Sequence, residues 1–142
     1  MKPQTLENHA RYVPLFHFVL AGILLFYIVW TAIHVVKEPT AQHVVDLVMA
    51  LAFAVMFLYI RQFPVRVQDR VIRLEETLRL QRLAPDLGKR AGEFTPDQLV
   101  ALRFASDEEL PALARKVLDE KLTDRTAIKK LVKNWRPDYL RA

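Results

Sequence analysis

Two histidines and an aspartate lie close together in the sequence, where one apolar stretch ends and the next begins. His34 lies near the end of the first stretch, His43 begins the second, and Asp46 follows one helical turn later. Imidazole nitrogens and carboxylate oxygens are common ligands of transition metals, so these three side chains form a candidate metal site. The alternative is that the histidines lie at a boundary between lipid and water, with Asp46 as a boundary acid or a contact to a partner protein.

Single histidines within an apolar helix can also ligate a pigment. His17 and His34 are candidate ligands for the iron of a haem or the magnesium of a bacteriochlorophyll. They are separated by about 25 Å along one helix, so they cannot bind the same metal centre. Because no pattern favours a pigment over a plain apolar helix, no cofactor is predicted, and haem or bacteriochlorophyll binding stays an alternative.

The composition excludes several kinds of active site. The 142 residues include no cysteine and three glycines. Disulfides, thiolate metal sites and cysteine nucleophiles are therefore excluded, and no glycine-rich phosphate loop is present. No nucleophile lies near a base and an orienting group, and no paired carboxylates suggest a cleft. We therefore predict that the protein is not an enzyme.

Two apolar stretches must position the histidines. The first, about residues 14–36, would be about 35 Å long as a helix, and the second, about residues 41–60, about 30 Å. Each is long enough to cross the hydrocarbon core of a bilayer, which is about 30 Å thick. The connector 37–40 is too short for anything but a tight turn. The sequence thus predicts an all-α protein with a cytoplasmic N-terminal segment (1–12), a two-helix transmembrane hairpin (13–61) and a small cytoplasmic helical domain (62–142).

Basic residues near the ends of the stretches predict the orientation. Lys37 is the one basic residue in the connector, whereas six flank the other ends of the two stretches. We therefore expect a bacterial inner-membrane protein with both termini cytoplasmic and the connector 37–40 periplasmic. The six residues are Lys2, Arg11, Arg61, Arg66, Arg70 and Arg73.

Beyond the second stretch the sequence predicts a helix with two apolar faces. One face has a spacing of 4, 3 and 4 residues, and the other lies nearly opposite. Such a helix needs two neighbours, of which one is the rest of this chain and the other is predicted to be another protein. The first face comprises Val67, Val71, Leu74 and Leu78, and the second comprises Val65, Ile72 and Leu83. Pairs Asp69–Arg73 and Glu75–Arg79 are expected to support the helix.

Shorter helices are predicted further along the chain. Thr95 caps one helix, a capping box over Ser106–Glu109 suggests a second that is kinked at or begins at Pro111, and the last is expected from Thr123 to Pro137. The last helix is basic on one side, which predicts contact with anionic lipid or an acidic protein if it does not simply face solvent. Nucleic acid is not an expected partner, since no known binding motif is present. The candidate contact residues there are Lys129, Lys130, Lys133, Trp135 and Arg136.

Three blocks of the sequence resemble an uncharacterised bacterial family of small two-span membrane proteins. They are "ENHARYVPLFHF", "LRFASDEELPAL" and "IKKLVKNWRPDYLRA", and together they cover nearly the whole chain. The resemblance implies two spans and a cytoplasmic helical tail. Members are sometimes labelled transporter permeases, and the resemblance provides no catalytic residues.

The function expected from these features is that of a non-catalytic accessory or structural subunit. It would belong to a multi-subunit inner-membrane complex, photosynthetic or respiratory by analogy, with membrane lipids and other membrane-protein subunits as partners. One alternative is a homo-oligomeric sensor or anchor that uses Val67–Leu78 as a short coiled coil. The other is pigment binding through a membrane histidine.

Overall fold

The structure, a computed structural model, describes residues 4–6, 8 and 12–138. Across these residues the chain is mostly helical, and no strand is longer than the isolated bridge between Ala105 and Trp135. The predicted all-α class is therefore confirmed. The chain forms two units, of which one is Tyr12–Pro64 and the other contains Val65 onwards together with the N-terminal residues. Lys2 and Arg11, used to predict orientation, lie outside the described residues.

The unit Tyr12–Pro64 contains the two apolar stretches. The first begins as a π-helix over Leu15–Leu20 and continues as helix α1, Ala21–Lys37. Helix α2, Ala41–Leu83, begins after a short connector and continues without interruption through Pro64. The π-helical start differs from the plain α-helix that the sequence predicts; its wider turns pair backbone groups five residues apart.

Contacts near both ends join the two stretches within this unit. The Phe16 ring stacks on Phe57 with 4.4 Å between centroids, and the centroids of His34 and His43 are 5.4 Å apart. Most of the large apolar side chains in the unit are nevertheless exposed, and such a surface is unfavourable in water. Leu15–Lys37 and Ala41–Leu83 are both long and apolar enough to cross a membrane by length and composition.

The unit from Val65 onwards has a core of its own. Leu80 at the C-terminal end of α2 shares this core with residues of four short helices, and a 3-10 turn lies between the first two of them. These are α3 (Pro85–Lys89), the 3-10 turn Ala91–Glu93, α4 (Pro96–Leu102), α5 (Leu110–Asp119) and α6 (Arg125–Lys130). The largest side chains that they bury are Leu80, Leu87, Leu99, Leu102, Phe104, Leu110, Val117 and Ile128.

Two helix starts follow the local sequence signals. The Thr95 hydroxyl accepts a hydrogen bond from the Gln98 backbone N–H at 3.2 Å, and the Gln98 side chain accepts one from Thr95 N–H at 2.7 Å. Thr95 therefore caps α4, as predicted, and the bond from Gln98 makes this cap a reciprocal capping box. Helix α5 begins at Leu110 with Pro111 in its first turn, close to the predicted start at Pro111, where a missing N–H costs little. The predicted capping box over Ser106–Glu109 is wrong, because Glu109 precedes the first helical residue and no side chain caps α5.

Pro85 and the residues around it, 84–94, read as a loop that ends the long helix, and this prediction is wrong in part, since the segment contains α3 and the 3-10 turn. Helix α3 passes so close to α2 that a Cβ atom on Gly88 would lie 2.6 Å from the Cα of Gln81. The absence of a side chain at Gly88 thus allows the chain to turn directly back onto α2.

The predicted final helix is also wrong in length. Helix α6 starts at Arg125, capped by the Asp124 carboxylate, and ends at Lys130 rather than near Pro137. The Glu109 carboxylate accepts hydrogen bonds from the backbone N–H groups of Lys133 (2.9 Å) and Asn134 (3.0 Å). Because these partners replace helical ones, the chain leaves the helix and residues 134–136 pair with 104–106, where Arg136 N–H donates to the Phe104 carbonyl at 2.7 Å.

Candidate functional site

The residues predicted as metal ligands line one small cavity in the unit Tyr12–Pro64. The cavity measures about 150 Å³, and its wall includes His34, His43 and Asp46. The structure therefore brings together three side chains that the sequence singles out. Tyr27, Trp30 and Thr31 complete the lining.

Local hydrogen bonds already engage one atom of each of the three candidate ligands. Nδ1 of His34 lies 2.8 Å from the Trp30 carbonyl oxygen, and Nδ1 of His43 lies 2.6 Å from the Glu38 carbonyl oxygen. Asp46 accepts a hydrogen bond from the Gln42 side chain at 2.9 Å. If Nδ1–H donates to those carbonyls, each Nε2 atom is left with its lone pair, the arrangement that orients histidine ligands.

The cavity does not contain a formed metal centre. Among residues 4–6, 8 and 12–138, no group of three or more His, Asp or Glu side chains is arranged to hold a metal ion. The imidazoles of His34 and His43 line the same cavity. The geometry nevertheless adds no support to the hypothesis that His34, His43 and Asp46 bind one metal ion. A haem or bacteriochlorophyll ligand at His34 stays a prediction.

His17, the other predicted pigment ligand, lies in the π-helical segment and has local partners. Its Nδ1 atom is 3.0 Å from the Val13 nitrogen and 3.1 Å from the Val13 carbonyl oxygen. Its ring also contacts the aromatic rings of Tyr12 and Phe16. This imidazole therefore stabilises the first turn of the helix, where backbone groups lack helical partners.

The predicted apolar stripe lies on the exposed side of α2. Val67, Val71, Leu74 and Leu78 are between 50% and 62% exposed. On the opposite side Ile72 is buried, and Leu83 packs against the core of the unit. One of the two predicted neighbours is therefore the rest of this chain, and the stripe is left uncovered.

A large cavity of about 840 Å³ lies directly beside the stripe. Val71 and Leu78 form part of its wall, so the cavity and the stripe share an edge. The volume lies within the range of ligand-binding pockets. Its charged lining comes from three separated parts of the chain: Glu75, Glu76, Arg79 and Arg82 on α2, Arg103 after α4, and Arg136 and Asp138 near the C-terminus.

Arg79 organises the inner wall of this cavity. Its guanidinium donates hydrogen bonds to Glu76 at 3.0 Å, to Asp107 at 2.8 Å and to the Ala105 carbonyl at 2.6 Å. The Glu76 and Arg79 side chains are each 5% exposed, so the pair is buried. Arg136 approaches the other Glu76 oxygen to 3.6 Å. The wall is thus fixed by charge-assisted hydrogen bonds that leave little freedom to Arg79.

The pKa values of the two acids that pair with Arg79, Glu76 and Asp107, are shifted in opposite directions. Burial raises the pKa of the Glu76 carboxyl above its ordinary value, and Arg79 and Arg136 oppose this effect only in part. The hydrogen bond from Arg79 lowers the pKa of Asp107, which is more exposed. The charged form of Glu76 is therefore disfavoured by its burial, whereas the charged form of Asp107 is favoured by Arg79.

Two predicted ion pairs are wrong, and both errors concern this surface. Arg79 pairs with Glu76 and Asp107 rather than with Glu75. Asp69 pairs with Arg125 of α6 at 3.0 Å rather than with Arg73. Because Asp69 turns towards α6, Arg73 forms no ion pair within the described part of the chain, and the same is true of Arg66 and Arg70.

The predicted basic contact residues do not form one helical face. Trp135 is half-buried, and its ring stacks on Phe104 at 4.4 Å. Lys129 lies over the same Phe104 ring at 5.2 Å. Trp135 therefore contributes to packing within the unit. Lys130, Lys133 and Arg136 are exposed, and Arg136 lines the large cavity.

Comparison with protein families identifies the relatives of this chain. The sequence matches a family over residues 1–142. The chain belongs to the DUF6526 family. That family is described as one of unknown function, which agrees with the resemblance to an uncharacterised family. No curated protein and no solved structure was found to be similar.

Sequence reasoning missed the charged cavity of this DUF6526 chain. Arg79, Arg103 and Arg136 are 24 to 57 residues apart in sequence, so no local pattern joins them. One signal was present: Glu76 and Arg79 lie on the same side as Ile72, which belongs to the second of the two predicted apolar faces. A charged pair on an inward face needs internal partners, and this observation would have pointed to the network.

Proposed function

We propose that this protein is a non-catalytic accessory subunit that is anchored in the bacterial inner membrane and docks to another protein of a larger complex. The anchor would be a hairpin of α1 and the first part of α2, crossing the membrane twice. The exposed apolar side chains of Tyr12–Pro64 support this proposal, because a lipid environment would cover them. A photosynthetic or respiratory complex is the setting in which we place such a subunit by analogy.

The proposed orientation has both ends of the chain in the cytoplasm and the connector in the periplasm. Gln4 and Asp138, which precede and follow the apolar unit, are joined by two hydrogen bonds. They must therefore lie on the same side of any membrane that this unit crosses, which requires an even number of crossings. Arg61, Arg66 and Arg70 after the second apolar stretch favour the cytoplasmic side.

The exposed stripe on α2 is the observation on which the docking proposal rests. Four apolar side chains, Val67, Val71, Leu74 and Leu78, remain at least half exposed on a helix whose opposite side is buried. They lie beyond the apolar stretch and next to arginines, where lipid would not cover them. A continuous apolar stripe of this kind marks a contact surface for another protein.

Purification from native membranes with a gentle detergent tests this proposal. We expect the wild-type chain to elute with defined membrane-protein subunits, identified by mass spectrometry, and the double variant Val71→Asp/Leu74→Asp to elute without them. Ala112→Asp is the matched control, because Ala112 is an exposed apolar residue of the same unit, on α5. A role for the stripe would be contradicted if the double variant kept its partners. It would also be contradicted if the control Ala112→Asp lost them as well.

A homo-oligomeric anchor is the second candidate, and the spacing of the stripe favours it. In a parallel coiled coil Val71 and Leu78 would occupy position a, and Val67 and Leu74 position d. Arg70 would then face Glu75 of the second copy, with opposite charge. In this case the purified wild type would be a dimer or a larger oligomer of this chain alone.

A further inference from the structure

We propose that the stripe and the arginines around it form a docking groove for an acidic amphipathic helix of a partner protein. This inference rests on the proposed function and names the chemistry of the partner at the same surface. The groove is defined as the stripe Val67–Leu78, the arginines on its two sides and the adjoining large cavity.

Positive charge lies on both sides of the stripe. Arg70 borders it on one side, and Arg66 and Arg73 lie behind Arg70 in the next rows of the helix surface. These three guanidiniums are exposed and have no ion pair with another described residue. On the other side Arg82 and Arg136 are 69% and 52% exposed, and their nearest carboxylates are already shared with Arg79.

Negative charge near the stripe is scarce. Glu75 is an exposed carboxylate beside it, whereas Glu76 is buried and Asp69 is paired with Arg125. Arg82 is paired with Asp107, and Asp138 in the cavity wall is paired with Arg103. Three arginines without an ion pair to another described residue, Arg66, Arg70 and Arg73, are therefore set against one unpaired carboxylate, Glu75. A partner helix with acidic residues on both sides of its apolar stripe would pair with Arg70 on one side and with Arg82 or Arg136 on the other.

The same charges disfavour a second copy of this chain as the occupant. A homodimer gains the attraction between Arg70 and Glu75 of the other copy. It also brings two arginine-rich surfaces within the Debye length, which is about 8 Å at physiological ionic strength. The stripe has only four apolar side chains, so a dimer would have little apolar area to offset that repulsion.

Lipid headgroups are also disfavoured by distance. Gln68 and Arg82, at the ends of the cavity wall, are 8 and 22 residues beyond Ile60. At about 1.5 Å per residue, they lie about 12 and 33 Å further along α2 than the end of the apolar stretch. The headgroup layer occupies only about 5–8 Å on each side of the hydrocarbon core, so most of the groove would lie beyond it.

The large cavity supplies an anchoring position for the partner. It opens beside Val71 and Leu78, and its inner wall is held by the Arg79 network described above. Protein interfaces depend on a few large side chains that fill such pockets. We infer that one bulky apolar side chain of the acidic helix enters this cavity while the acidic residues pair with the surrounding arginines.

The test uses the full chain in nanodiscs of neutral phosphatidylcholine and two synthetic peptides. Both are 18-residue helices with a leucine stripe and one tryptophan; one has glutamates beside the stripe and the other has lysines. Fluorescence anisotropy should show that the glutamate peptide binds at least about tenfold more tightly than the lysine peptide, and that salt weakens its binding.

Charge reversal makes the test specific. Arg70→Glu/Arg73→Glu should reverse the preference in favour of the lysine peptide, and Leu74→Asp should weaken binding of both peptides. Lys89→Glu is the matched control, because Lys89 is an exposed cation of the same unit on α3, and it should leave the preference unchanged.

Four results would overturn the inference. The first is equal binding of the two peptides, and the second is an unchanged peptide preference in Arg70→Glu/Arg73→Glu. The third is a wild-type homodimer that Leu74→Asp separates into monomers. The fourth is binding of the wild type to phosphatidylglycerol vesicles that Arg70→Glu/Arg73→Glu abolishes. The last two would assign the groove to a second copy and to lipid.

The purification described above separates this inference from the proposed function. If Val71→Asp/Leu74→Asp abolishes co-purification and Arg70→Glu/Arg73→Glu does not, docking through the stripe stands and the acidic partner is refuted. If neither double variant has an effect, the proposed function fails with the inference.

Discussion

Arg79 and Glu76 form a buried ion pair in which the guanidinium donates to the carboxylate at 3.0 Å and both side chains are 5% exposed. The pair forms the wall between the cavity and the core of the unit. Removing one member of such a pair destabilises a fold, because the other charge is left buried without a partner. The consequences can be tested by substitution and by pH.

Arg79→Ala should strongly destabilise the unit from Val65 onwards. Glu76 would remain buried without its main partner, and such a loss typically costs about 3–5 kcal/mol. Arg82→Ala is the matched control; Arg82 is 69% exposed, and a surface pair contributes about 1 kcal/mol or less. The measurement is urea unfolding of the full chain in detergent, followed by Trp135 fluorescence in a Trp30→Phe background. Similar midpoints for both variants would contradict the role given to the buried pair.

Glu76 should make the same unit less stable as pH rises above 4.5. Its pKa is raised by burial in the folded state, so the folded protein retains the proton at pH values where the unfolded chain, with its ordinary pKa of 4.5, has lost it. The free energy of unfolding therefore falls as pH rises through the interval between the unfolded and folded pKa values. Glu76→Gln should remove this fall, as measured by the unfolding midpoint at a series of pH values.

Asp107 provides the opposite control. Its pKa is lowered by Arg79 from an ordinary value of 3.8, so its contribution to stability is present above that value and lost as pH falls through the folded pKa. Asp107→Asn should reduce the acid-induced loss of stability without changing the slope above pH 4.5. An unchanged slope in Glu76→Gln would show that Glu76 does not titrate as proposed.

Gly88→Ala should destabilise the contact between α2 and α3. The new Cβ atom would lie 2.6 Å from the Cα of Gln81, and a backbone atom cannot move aside as a flexible side chain can. Overpacking of this kind costs about 1–3 kcal/mol. In Gly92→Ala the Cβ atom would have no neighbour within 4 Å, so the thermal unfolding midpoint should be unchanged or slightly raised. Equal midpoints would refute the close approach.

Local sequence signals predicted the features that depend on near neighbours. The predicted cap at Thr95 acts on a residue three positions later, and the stripe from Val67 to Leu78 follows the repeat of one helix. Both are present in the structure, because a cap and a helical face are set by residues within a few turns of each other. The side of α2 that faces the core was predictable for the same reason.

Features set by distant residues could not be predicted in this way. Helix α6 ends early because Glu109, 24 residues before Lys133, binds the backbone that would have continued the helix. Asp69 pairs with Arg125, 56 residues away, instead of with the arginine one turn along its own helix. In both cases a tertiary hydrogen bond to a charged group replaces a local one: a helical backbone bond at Lys133, and at Asp69 an i,i+4 pair worth a few tenths of a kcal/mol.

The pairing of Gln4 with Asp138 predicts that the two ends of the chain are on the same side of the membrane. The Gln4 side chain donates to the Asp138 carbonyl at 3.1 Å and accepts from the Asp138 N–H at 2.7 Å. Because the natural chain contains no cysteine, single substitutions report positions cleanly. In intact bacterial cells a membrane-impermeant maleimide should label Thr40→Cys in the connector, whereas Lys130→Cys should react only after the inner membrane is permeabilised. Labelling of Lys130→Cys in intact cells would reverse the proposed orientation, and labelling of neither variant before permeabilisation would place the connector on the cytoplasmic side.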